Sequence, residues 1–95
     1  MKNTKEMKLI DGHFSPDEAR EIVMNVFLSK IQFHQNKNFS SEERFGKEDV
    51  NAVKRIPELK KSMVLISELI DSAKQNNETL EITSEVKIRV SKSKM

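Results

Sequence analysis

Cysteine is absent from the 95 residues, which removes a disulfide framework, a thiolate nucleophile and a cysteine-ligated zinc site. A chain without cysteine suits a reducing compartment. Glycine occurs only as Gly12 and Gly46, so no glycine-rich phosphate loop can be written. Apolar runs reach only a few residues, too short for a membrane span or for the h-region of a secretory signal after the lysine-bearing start "MKNTKEMKLIDGHF". A cytoplasmic location is therefore expected. Charge of one sign is also scarce in excess: 17 basic and 15 acidic side chains leave a net +2, too little to mark a nucleic-acid-binding surface by itself.

What is present suits one helix-rich domain, with 36% hydrophobic and 34% charged residues. A chain of this size supports only a modest core, so self-association is a natural expectation. The clearest local signal is "FSPDEA". Ser15 stands as N-cap, Pro16 at the first helical position, Glu18 at capping-box spacing, and Phe14 with Ala19 as a hydrophobic staple. A first helix is predicted over 16–37. Its apolar face comprises Ala19, Ile22, Val23, Val26, Phe27, Ile31 and Phe33. Lys30 and His34 interrupt that face one turn apart. They read either as a snorkelling lysine and a residue of the fraying helix end, or as a pair lining a small anion pocket.

Residues 40–46 read as a structured connector. Ser40 and Glu43 have capping-box spacing and Gly46 is placed to stop a single turn. Phe39 and Phe45, with Phe33, would then point inward and plug the open end of a helical hairpin. The alternative is a surface for a partner, which makes Phe39, Arg44 and Phe45 binding candidates. The second helix, predicted over 49–76, has the strongest periodicity: Ala52, Ile56, Leu59, Met63, Ile66, Ile70 and Ala73. Pro57 suggests a kink, or a regular part that begins there. Val64, Leu65 and Leu69 lie off the stripe and need another partner.

From Leu80 the period becomes two. Leu80, Ile82, Val86, Ile88 and Val90, with Ser84 in the same register, alternate with Glu81, Thr83, Glu85, Lys87 and Arg89, which predicts a strand over 80–91 before a tail at 92–95. A short strand is expected at 7–11. The fold class is α+β: an antiparallel two-helix hairpin with a short N-terminal and a long C-terminal strand. "LIDGHFSPDEAREIV", followed by "KIQFHQNKNFSSEERFGKED" and a second long helix, resembles small uncharacterised bacterial proteins with a helical hairpin. Those motifs are caps, turns and core positions, so the resemblance implies architecture and no catalytic residue.

The catalytic inventory is thin. His13 and His34 are not at metal-ligand spacing, Ser15 is taken by capping, and Asp11 and His13 read as an acid-base pair or, equally well, as parts of a turn at Gly12, so no cofactor, metal or catalytic residue is expected. The leading expectation is a protein-interaction module that forms a homodimer, with Leu65, Leu69 and Ile88 as further contact candidates. A nucleic-acid-associated accessory protein using Lys87 and Arg89 ranks second, because acids dilute the basic residues around the connector. A small-molecule-binding protein or enzyme ranks third.

Overall fold

The computed structural model describes residues 3–92. The chain is α+β, in the order β1 (Thr4–Phe14), α1 (Pro16–Phe45), α2 (Val50–Gln75) and β2 (Leu80–Arg89). Of the tail at 92–95, residues 93–95 lie outside the described residues. Among the described residues, no helix is long and apolar enough to cross a membrane.

Helix α1 begins as its sequence dictates. The Ser15 side chain accepts from the Glu18 N–H at 3.2 Å, and the Glu18 carboxylate accepts from the Ser15 N–H at 2.9 Å. Its end departs from expectation. The helix does not stop near residue 37 but runs through the supposed connector to Phe45, where Gly46 adopts φ 66° and donates its N–H to the Glu42 carbonyl. The capping spacing of Ser40 and Glu43 is a false start, because no glycine or proline precedes it to break the helix already running. Only the left-handed Gly46 terminates it.

Residues 46–49 turn the chain into α2, where the Asp49 side chain accepts from the Ala52 N–H at 2.9 Å and the Asn38 side chain accepts from the Asp49 N–H at 2.7 Å. Pro57 sits inside an unbroken helix, although it withholds the bond that Val53 would otherwise accept. At the far end Asn77 takes φ 55°, Glu78 donates to the Ala73 carbonyl at 2.8 Å, and Asn77 donates to that of Lys74 at 3.3 Å. This pair of bonds is a Schellman stop, with asparagine in the place glycine usually holds.

The helices are antiparallel. Arg20 of α1 donates to Ser67 Oγ at 2.8 Å and pairs with Asp71, while Lys74 reaches Asp17 at 3.1 Å. Between them lie the buried side chains of the described residues, Ala19, Ile31, His34, Ala52, Leu59, Ile70 and Ala73. The expected stripe of α2 does face α1. On α1 the face is narrower than expected, since Val26 and Phe33 are exposed.

β1 and β2 form a two-stranded antiparallel ribbon. β1 is neither short nor confined to 7–11; it pairs from Thr4 opposite Arg89 to Phe14 opposite Leu80, and β2 stops at Arg89 instead of 91. The register breaks between Lys8 and Ile10, leaving Leu9 as a bulged residue. This break has a purpose legible in the residues. It moves the apolar face of β1 from Phe14, Gly12 and Ile10 to Met7, so that Met7 stands opposite Val86 and the face stays continuous with Leu80, Ile82, Val86 and Ile88. The Phe14 ring folds back along its own strand to Gly12, where a Cβ would meet it at 3.4 Å, an ordinary van der Waals contact.

Candidate interaction surface

The fold is open. Its Cα radius of gyration is 17.0 Å and its extents are 51 × 38 × 15 Å, whereas a compact domain of this length has a radius near 12 Å. The accessible surface is 7967 Å², against about 5,600 Å² for a folded monomer of this mass. Even with the five undescribed residues discounted at the unfolded-chain rate of about 1.45 Å² per dalton, roughly 1,500 Å² of excess remains.

The apolar part of this surface is ordered by face. At 100° per residue, Leu65 and Leu69 stand one turn apart on the flank of α2, away from the seam that meets α1. Both are more than half exposed. On the ribbon, Met7, Ile88 and Val90 are exposed to the same degree, while Leu80, Ile82 and Val86 nearer the helices are half-buried. The two strips meet at a cavity of about 310 Å³ lined by Ala19, Val23, Leu69 and Ile70 on the helices and by Leu80 and Ile82 on β2. The chain's own helices thus cover only the inner end of the ribbon, and they cover it loosely.

The opposite ribbon face is finished for water. Lys87 lies 3.3 Å from the Glu6 carboxylate across the strands, and His13 stands opposite Glu81. Lys87 and Arg89 both project from this polar face, with Arg89 opposite Thr4. Such exposed pairs add about 0–1 kcal/mol of stability.

At the hairpin tip, Phe39 is 65% and Phe45 70% exposed, and Phe33 is half exposed, so the aromatics do not plug the hairpin. The physical reason is the helical extension of residues 40–45. Phe39 falls on the back of α1, and Phe45 lies in a final turn that reaches beyond α2's first residue. Arg44 and Phe45 instead border an open groove of about 510 Å³, together with Phe33, Lys37 and Asp49. Phe45→Ala is accordingly expected to change the unfolding free energy by less than about 0.5 kcal/mol in a denaturant titration. A loss near the ~3 kcal/mol typical of a buried phenylalanine would mean that Phe45 packs against something.

The candidate pocket residues have different surroundings. Lys30 is exposed and holds its ammonium 4.8 Å from the centroid of the Phe33 ring. His34 is 2% exposed and does not lie at a fraying end, since α1 continues to Phe45. Its ring meets Phe33 edge-on at 5.4 Å, and neither ring nitrogen has a hydrogen-bond partner among the described residues. Phe33 therefore stands between the two groups. Among the described residues there is also no cluster of three or more His, Cys, Asp or Glu side chains able to hold a metal ion.

Sequence reasoning found Leu65, Leu69 and Ile88 because each breaks or extends a clear period. It missed Met7 as a surface group, and Val26 and Phe33 as a bare flank of α1. The alternation of β1 hides Met7, because only the bulge at Leu9 shows which face it joins. No protein-family model, curated protein or solved structure matches this chain.

Proposed function

We propose that this chain is a cytoplasmic protein-interaction module that self-associates as a homodimer. The observation that carries the reading is the surface excess of at least roughly 1,500 Å² on a plate with apolar strips on one ribbon face and one helix flank. Two protomers that each buried that much would share an interface of about 3,000 Å² or more, the size of obligate homodimer contacts. Nucleic-acid binding has less support, because Lys87 is already paired with Glu6 and Arg89 stands on the same mixed-charge face.

Light scattering of the full chain at tens of micromolar tests the reading. The expected mass is twice the 11.0 kDa of one chain. The double variant Leu65→Glu, Leu69→Glu should fall to the single-chain mass with its helical circular dichroism retained, because both side chains are exposed within one protomer. A folded wild-type monomer at hundreds of micromolar would refute self-association.

A further inference from the structure

Resting on the homodimer reading, we propose that the second copy is held by reciprocal docking, with the outer half of each ribbon lying across the α2 flank of the other protomer. Four observations lead there. The bulge at Leu9 keeps Met7 on the face of Val86 and Ile88, a face interrupted by Ser84 and by Lys5 opposite Ile88, and Met7, Ile88 and Val90 at its outer end are more than half exposed. Leu69 lines the cavity at which the ribbon meets the helices, beside Leu80 and Ile82, so the α2 flank borders the ribbon there, and Leu65 continues that flank one turn away. The other ribbon face is occupied by the Glu6–Lys87 pair and its polar neighbours, which leaves only one face for burial. The surface excess, roughly 1,500 Å² per chain, is of the size that each half of a homodimer interface buries.

A twofold axis satisfies these facts together. An isologous contact uses one surface twice, and here that surface contains two unlike strips. When the ribbon of one protomer crosses the flank of its partner, symmetry places the partner's ribbon on the first protomer's flank, and all four strips are buried at once. Edge-to-edge pairing of ribbons would satisfy the free strand edges but leave Leu65 and Leu69 in water.

The absence of cysteine makes the test clean, since any introduced thiol is unique. Ile88→Cys and Leu65→Cys are prepared as separate full-length chains, one isotopically labelled, then mixed, allowed to exchange and joined with a short bis-maleimide. Because the two thiols start on different chains, every link between them is intermolecular. The expected result is a mixed cross-link at twice the chain mass, far above the yield when Leu28→Cys on the back of α1 replaces Leu65→Cys. Light scattering on the unlinked variants separates the two levels of the claim. A dimer that links only Ile88→Cys to itself, or gives no mixed link above the Leu28→Cys control, overturns reciprocal docking and leaves the homodimer standing. A monomeric mass overturns both. Circular dichroism of each variant confirms that the chain tested is folded.

Discussion

Ile70→Ala should lower the unfolding free energy by about 2–4 kcal/mol, the usual range for truncating a buried isoleucine. Ile70 is 2% exposed and is one of the two largest enclosed side chains; the other is His34. Three of the remaining buried residues are alanines, which let the helix backbones approach but contribute little apolar area. The interior therefore depends on Ile31, Leu59 and Ile70. Losing three carbon atoms from Ile70 removes a large part of it and opens space beside the loose cavity that Ile70 already lines. In a domain of this length, each kcal/mol corresponds to about 4–8 °C in midpoint, so a thermal shift of roughly 10–25 °C is expected. Unfolding of a dimer also depends on protomer concentration, and the comparison must be made at one fixed concentration. A shift of only one or two degrees would mean that stability resides in the intersubunit contact and not in the hairpin seam.

The elements legible in the sequence were those whose causes are local. The Ser15–Glu18 capping box, the α2 stripe and the alternation after Leu80 each depend on residues within a few positions of one another. The end of α1 and both ends of β1 differ from expectation where a local signal competes with a longer-range one. Ser40 and Glu43 have the spacing of a helix start, but a helix already in progress continues until a residue stops it, and that residue is Gly46. In β1, strict alternation fails at Leu9; pairing with β2 absorbs the extra residue as a bulge and carries the strand beyond "MKLID" to Thr4 and Phe14. The interaction surface was partly legible, since Leu65, Leu69 and Ile88 are apolar residues in excess of what one hairpin covers. Its arrangement was not, because which flank faces the ribbon depends on how the helical arm meets the sheet, and no local pattern encodes that angle.

The burial of His34 was the least legible feature, and it supports a prediction of opposite sign: His34→Leu should raise the unfolding free energy by about 1–3 kcal/mol. An imidazole normally has a donor and an acceptor nitrogen, and each gives up hydrogen bonds to water on burial. Here neither recovers a partner from the described residues, so the folded state carries an uncompensated desolvation cost of that order. The bonds Asn38–Asp49 and Arg20–Ser67 set an antiparallel register that brings His34 level with the first turn of α2, where Ala52 is fully enclosed. The small methyl of Ala52 gives space for a ring, and leucine is close enough to imidazole in volume to fill it without a large void. Leucine keeps contact with Phe33 and continues the apolar seam from Ile31. Parallel denaturant titrations of the wild type, His34→Leu and His34→Ala decide the matter, with alanine expected to be the least stable because it leaves a cavity. If leucine instead lowers stability, the imidazole nitrogens must be satisfied by an enclosed water molecule or by the second protomer, and repeating the titration at several protein concentrations tells which.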